Sequence, residues 1–378
     1  MADIGNELDE ILVPPVESGP PPVRDAFDYN VAFNLGFIGV GQCGGRIAAT
    51  FGKLGYGRVC AVNTTIQDLA ELRIPDANKL DVGDARGAGK DPTAAAAVFA
   101  DKDEDIFDLL QRSWGDQVDY GMVCLAAAGG TGAGGFHKTV EVVRRYLQHC
   151  KRPERVGAIV ALPRDDEGQR FAQNALHTFR QLASQSLSPL ILIDNQKIRT
   201  LYPSVAAGAI HSTENQATAT LLHVFNRLAG SDSEHTSFDR ADFAKLLDSG
   251  LITFAADNLT QWATASDITG PIRDRLRRNI LATVEFNKST VAGLLYVLSG
   301  DTYDSVPSAF LDAGTAMFTR MLAPNSTVFP GVYRGNASPA GIKVLAMIGS
   351  LPLPRQRILD LANRAGVGVD DVLRSLGV

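Results

Sequence analysis

Residues 126–135 read AAAGGTGAGG, five glycines and a threonine set between an apolar run at 120–125 and a helical pattern that puts Phe136, Val140, Val143 and Leu147 on one face. Glycines at a strand-to-helix junction let the backbone press against an anion. Several N–H groups then converge on it, and the following helix aims its positive end the same way. That is the chemistry of a phosphate cradle. A second glycine segment, Gly39-Val-Gly-Gln-Cys-Gly-Gly-Arg, follows the apolar run at 34–40 and has the form G-x-G-x-x-G. Alone it is also compatible with a dinucleotide pyrophosphate. A third, Gly83-Asp-Ala-Arg-Gly-Ala-Gly-Lys-Asp-Pro, carries Lys90, which either offsets phosphate charge or faces water. Three such loops suit a linear triphosphate better than a pyrophosphate, which one loop serves. No Walker A loop is present, since Gly89-Lys90 is followed by Asp91 rather than Ser or Thr.

The elements that must hold these loops follow from hydrophobic patterning. Apolar runs at 34–40, 58–62, 120–125, 156–162 and 189–194 alternate with helical periods, which predicts a parallel sheet with helices on both faces. In such a sheet ligands sit beyond the carboxyl ends of the strands. After the run at 58–62 stands Val62-Asn-Thr-Thr-Ile-Gln-Asp-Leu, amides and hydroxyls where a dinucleotide fold places a ribose-binding acid. Ile47, Phe51 and Leu54 form one helical face stopped by Gly55, and Ala217, Leu221, Val224, Phe225 and Leu228 mark a longer helix over 213–229 that ends at Gly230. Beyond a polar stretch at 231–237 a second α/β unit is predicted, with helices near 239–248 and 270–280 and strands near 290–298, 327–334 and 341–349. Helical pieces at 355–365, capped by Gly366, and 370–376 complete the chain.

With 378 residues, 45% hydrophobic and 21% charged, the chain reads as globular with about two domains. A net charge of −6 lacks the basic excess of a nucleic-acid binder, and the cluster Arg273, Arg275, Arg277 and Arg278 reads as a solvated helix face. Cys43, Cys60, Cys124 and Cys150 lie far apart without metal spacing, so reduced, mostly buried thiols are expected. No apolar run or leader pattern predicts membrane insertion or export, which makes the cytoplasm the expected location. The first thirty residues hold seven acids against one arginine, with five prolines between Pro14 and Pro22. Within this lead-in Ile4, Leu8, Ile11 and Leu12 share a helical face that would dock on its own assembly or on a partner.

These motifs resemble the tubulin and FtsZ superfamily of filament-forming GTPases. The family's GGGTGSG loop stands here as Ala128-Gly-Gly-Thr-Gly-Ala-Gly, its first loop as 39–45, its NTDAQAL-type loop as 62–69 and its GAGxNP loop as Gly87-Ala-Gly-Lys-Asp-Pro. The resemblance assigns nucleotide contacts to Gly41, Gln42, Cys43 and Gly44, to Asn63, to Gly87, Ala88, Gly89 and Lys90, and to Gly129, Gly130, Thr131 and Gly132. The segment at 162–170 is similar to the family's FEGxxR stretch and places Glu167 and Arg170 near the ribose and α-phosphate. Asp194-Asn195 and Glu214-Asn215-Gln216 match guanine-side segments, Asn195 and Asn215 presenting the acceptor and donor that read a guanine edge. On their own both asparagines also suit caps or turns.

Ser237-Phe-Asp-Arg-Ala-Asp-Phe-Ala resembles the family's NxDFAD loop. Asp239 and Asp242 either simply favour a helix dipole or, as the resemblance implies, act as catalytic acids on the nucleotide of the next subunit. Mg²⁺ is then expected on the phosphates of GTP, held chiefly by phosphate oxygens and water. The implied fold is α/β: a mostly parallel, Rossmann-like GTP-binding domain, a long central helix and a second α/β domain. The implied organisation is an extension at 1–33, a GTP-binding domain at 34–212, a central helix at 213–230, an activation domain at 231–350 and a helical tail at 351–378. The implied partner is a second copy, head to tail, in a filament that cycles between GTP and GDP. The terminal segments are candidate docking points for an adaptor. Ser237 and Thr65 depart from the family's usual Asn and Asp, which bears on rate and cation use. The acidic lead-in and short tail fit the phage and plasmid tubulin-like proteins that position or segregate DNA; a division or cell-shape filament of FtsZ type is the alternative. A nicotinamide-dependent oxidoreductase and a non-hydrolysing structural tubulin are alternatives of other classes.

Overall fold

The computed structural model describes residues 31–377 apart from 84–88, 207–208, 232, 234–235, 336 and 338–340. The helix expected around Ile4 to Leu12, and Gly87 and Ala88 of the third loop, lie outside the described residues. Two compact units are present, one built on Phe33–Gln196 with Pro354–Val378, the other on Lys197–Leu353.

The first unit runs β1 (Leu35–Val40), α1 (Gly41–Lys53), β2 (Val59–Asn63), α2 (Ile66–Ala70), β3 (Lys79–Asp81), α3 (Pro92–Asp101), α4 (Asp103–Trp114), β4 (Tyr120–Ala126), α5 (Gly130–His149), β5 (Val156–Leu162), α6 (Gln169–Ser184) and β6 (Leu190–Asp194), after which α7 (Asn195–Leu201) begins. Its strands lie in the order β3-β2-β1-β4-β5-β6, each pair parallel. Sequences such as LGFIGV, VGAIVAL and LILID are buried along their whole length, as a sheet covered on both faces requires. Helices supply the cover. Phe51 of α1 stacks on Phe37 of β1 with ring centroids 3.8 Å apart, and Trp114 fills the space that the absent side chains of Gly36 and Gly121 leave over the sheet. The strand order reverses between β1 and β4, whose register pairs Ile38 with Val123 and Gly39 with Cys124. That reversal is the topological switch point, where the crevice of a doubly wound sheet opens.

The second unit contains α8 (Ile210–Leu228), α9 (Arg240–Leu247), β7 (Leu251–Leu259), α10 (Ser266–Pro271), β8 (Val291–Leu298), α11 (Gly300–Ser305), α12 (Ser308–Met321), β9 (Thr327–Arg334) and β10 (Ile342–Leu351). Here β10 pairs antiparallel with both β7 and β8, while β8 and β9 are parallel. Strand β7 and helices α11 and α12 add to the elements expected from the sequence, and the helix expected near 270–280 is broken differently. Helix α10 ends at Pro271, which has no N–H to continue the ladder, and the chain passes into a π turn at Ile272–Leu276. The arginine cluster there is engaged at the surface: Arg273 forks onto Asp274 at 2.9 and 2.7 Å, Arg275 reaches Asp257 at 2.9 Å, and Arg277 lies over the Phe286 ring.

The last two helices, α13 (Arg355–Ala365) and α14 (Val369–Leu376), belong to the first unit. Ile358, Leu361 and Ala362 bury the inner face of α13, which packs against α6. The left-handed Gly366 (φ +69°) ends it, as the sequence predicts. Among the described residues no helix is long and apolar enough to cross a membrane. Cys60 and Cys124 are buried and Cys43 and Cys150 half-buried, all four as free thiols, and burial drives the Cys60 and Cys124 thiols well above their ordinary range.

Candidate phosphate and nucleotide site

The two glycine segments meet at the switch point. Gly41 turns the chain from β1 into α1 at φ +73°, a conformation that favours glycine. A β-carbon there would stand 3.2 Å from the Gly132 N and 3.3 Å from the Thr131 Cβ, so the first loop and the AAAGGTGAGG loop touch backbone to backbone. Gly44 holds α1 equally close to β4, its missing β-carbon being 2.1 Å from the Cys124 carbonyl oxygen. Neither α1 nor α5 has a side-chain cap, their N-cap residues being Val40 and Gly129. Helices α3 and α9, by contrast, are capped by Asp91 and Asp239. The N-cap residues of α1 and α5 thus offer no side-chain acceptor to the leading N–H groups, and a helix start of that kind suits an anion.

The second loop closes on the same point. Thr64 Oγ1 and Thr131 Oγ1 lie 2.9 Å apart. Buried Asn63 receives the Thr64 N–H on its Oδ1 at 2.8 Å and donates to Asp68 at 3.1 Å, while Asp68 also accepts from Gln42 at 2.8 Å. Asp68 thereby stitches two of the predicted contact residues together, a role its place in the 62–69 motif did not announce. In the third loop Gly89 (φ +53°) and Lys90 (φ +61°) are exposed, and the Lys90 ammonium sits 4.4 Å from the centroid of the Phe171 ring. Lys90 Cα would be 2.7 Å from a β-carbon on Gly130, so the third loop packs directly on the glycine loop. Asn174 of α6 fixes that contact by donating to the Lys90 and Ala128 carbonyls at 3.2 and 3.1 Å. Thr178, one turn on, donates to the Ala127 carbonyl at 2.8 Å. Gly129 is half-buried and Cys43 half-buried at the same rim.

On the β5 and β6 side, Glu167 accepts the Arg164 N–H at 2.7 Å and so closes the 163–168 turn, Arg170 is exposed on the first turn of α6, and Asn195 opens α7 beside buried Asp194. Helix α6 also begins without a side-chain cap, at Gly168. The remaining predicted residues belong to the second unit. Asn215 is buried on α8, next to Glu214, which pairs with His211 at 2.9 Å. Asp239 is exposed and accepts the Asp242 N–H at 2.9 Å, so it caps α9; half-buried Asp242 has Lys245 at 3.6 Å. The dipole reading of these acids therefore holds for Asp239 in this fold, without bearing on a further role.

Fold and crevice together define a doubly wound α/β protein whose switch point is shaped for phosphate. Residues 34–203 match the Tubulin/FtsZ family, GTPase domain. TubZ of Bacillus cereus is 27% identical over 248 residues, which make up 60% of this chain and 55% of that protein. CetZ of Methanothrix thermoacetophila is 28% identical over 238 residues, 58% of this chain and 62% of the relative. The chain thus matches a little over half the length of these curated relatives. Among solved structures, a GTPγS-form protofilament of Bacillus thuringiensis serovar israelensis TubZ aligns with a TM-score of 0.75 over 90% of this chain and 93% of that one, at 17% identity. At that identity the match is one of fold. The family match sets aside the nicotinamide-dependent alternative.

Proposed function

We propose that the chain binds GTP at the β1/β4 switch point and polymerises head to tail, with hydrolysis completed at each junction by Asp239 and Asp242 of the next subunit. One observation carries the reading: the glycine segments that follow β1 and β4 meet at one crevice, Lys90 of the third loop packs on the second of them, and two helices without side-chain caps start there. One such loop suffices for a pyrophosphate, and the added loops supply N–H groups for a third phosphate. Gln42, Cys43 and Gly44 at the start of α1, and Gly130, Thr131 and Gly132 at the start of α5, hold the phosphates. Lys90 offsets their charge, Glu167 and Arg170 meet the ribose and α-phosphate, and Asn195 reads the base.

The loop N–H groups receive the charge that develops on the γ-phosphoryl oxygens. The two carboxylates orient and polarise the attacking water. Among the described residues no three His, Cys, Asp or Glu side chains gather as a metal cage. The oxygen donors near the phosphates, the Thr64 and Thr131 hydroxyls, suit a hard cation carried in with the nucleotide. Mg²⁺ held there would neutralise phosphate charge. The solved TubZ relative is a protofilament, which supports assembly of this chain as well. We read the biological role as DNA positioning or segregation of the phage and plasmid type, with a cell-shape or division filament of FtsZ type as the alternative.

GTP-dependent pelleting of the wild type beside Asp242→Ala tests this. The variant is expected to bind GTP and pellet, to release no phosphate and to leave a persistent polymer. Turnover at the wild-type rate would remove Asp242 from the mechanism, and a wild type that binds no guanine nucleotide would overturn the proposal as a whole.

A further inference from the structure

Arg357 stands outside the segment that matches the GTPase domain, yet it is among the most deeply buried cations of the chain, with a side chain 4% exposed. Its guanidinium spans two strand-end segments. One nitrogen pairs with Asp165, another donates to the Pro163 carbonyl, and Nε faces the Asp194 carboxylate at 3.7 Å. Two turns further along α13, on the same face, Arg364 donates to the Arg164 carbonyl at 2.5 Å and approaches Asp165 at 3.5 Å. The far end of the helix is held from the other side, where Gln169 and Gln173 of α6 donate to the Ala365 carbonyl at 2.9 and 3.2 Å. The first half of the 163–168 turn, Pro163 to Asp165, is thus held by α13. This turn carries Glu167, leads into Arg170, and lies beside Asp194, whose next residue is Asn195.

A buried guanidinium is retained only where its fork is matched by acceptors, and here every acceptor belongs to the two segments assigned to the ribose and base. We propose that Arg357 is a positioning residue for nucleotide: α13 sets the geometry of the ribose-side and base-side segments, so GTP affinity depends on the C-terminal helix. The proposal rests on the GTP reading of the crevice. It makes no claim on the phosphate side, where the loops are fixed by Asn174 and Thr178 instead. Arg357 therefore acts on binding and leaves the chemical step alone.

The test is equilibrium binding of GTP and GDP to dilute full-length protein, with turnover of assembled protein at saturating GTP measured in parallel. Arg357→Met keeps the length and packing of the stem but loses the fork. It is expected to weaken both nucleotides by about tenfold or more, the equivalent of about 1.4 kcal/mol, to raise KM and to leave kcat unchanged. Arg357→Lys should recover part of the affinity. If Arg357→Met does not fold, Asp165→Ala makes the same test from a half-exposed surface position and is expected to shift affinity the same way. A lower melting temperature with unaltered nucleotide affinity in these variants would overturn the positioning role while leaving the GTP reading intact. Wild-type protein that binds no guanine nucleotide would overturn both.

Discussion

Asp239 caps α9 through the Asp242 N–H, so a single alanine there would mix the loss of a helix cap with the loss of an acid. Asparagine separates them, because it caps as well as aspartate but carries no charge. Asp239→Asn is expected to melt with the wild type and to lose GTP turnover, whereas Asp239→Ala should in addition cost about 1 kcal/mol of stability. Thermal melts beside phosphate release decide it, and full turnover in the asparagine variant would dismiss the carboxylate. The glycine loop offers a second contrast. A methyl at Gly130 would press within 2.7 Å of the Lys90 backbone, whereas one at Gly129 meets nothing closer than 3.8 Å. Gly130→Ala must separate two loops and is expected to destabilise the nucleotide-free protein by about 1–3 kcal/mol, while Gly129→Ala should melt as the wild type does; equal melts would mean that the third loop does not rest on the glycine loop. A position like Gly130 is legible in a sequence because only glycine fits. Asn174 was not, since its value lies in reaching carbonyls 84 and 46 positions away, which a lone polar residue in a helical stretch does not signal.

Five parallel strands of the first unit were legible for a simple reason: burial on both faces leaves continuous apolar runs, and the β1, β5 and β6 runs have no competing reading, whereas the short, partly exposed β3 was not legible. Helix α3, PTAAAAVFAD, escaped because alanines carry no periodic signal, with Ala95 and Phe99 its buried residues. Strand β7, LITFAADNL, carries polar Asp257 and Asn258 near its end, which hid a strand whose inner positions are all buried. Helix α8 was found from its aliphatic stripe, but that stripe understates its burial, because Thr218, Thr220, His223 and Asn226 are buried too. His223 has a measurable consequence. Burial, aided by the Arg227 charge, pushes its pKa down to about 4, below the roughly 6.5 of an unfolded chain. Between those values the unfolded chain binds the extra proton, so stability is present above pH 6.5 and is lost as pH falls towards 4. From pH 7 to pH 5 the loss is about 2 kcal/mol. Denaturation midpoints at the two pH values should show it, and His223→Gln should flatten that part of the acid limb; an unaltered limb would place the acid sensitivity elsewhere.

At the scale of the whole molecule, the proposed function divides the acids and the phosphate cradle between two copies. In the proposed filament each junction would join one subunit's crevice to the next subunit's α9 loop, a heterologous contact that repeats without closing. Dilute protein should then bind GTP without cleaving it, and turnover per molecule should climb with concentration. A mixing experiment makes the division of labour explicit. Asp242→Ala keeps an intact crevice and lacks an acid, while Gly130→Ala keeps both acids and has a damaged crevice; each alone is expected to be nearly inactive. In a random one-to-one copolymer, about a quarter of junctions place an intact crevice against an intact acid pair, a consequence of the heterologous contact alone. Phosphate release should therefore rise on mixing towards about a quarter of the wild-type rate, and should fall away at either extreme of the ratio. A site complete within one subunit predicts no rescue at any ratio. Co-sedimentation of the two variants without recovered phosphate release would show that the acids and the cradle serve the same molecule, or that Asp242 serves neither.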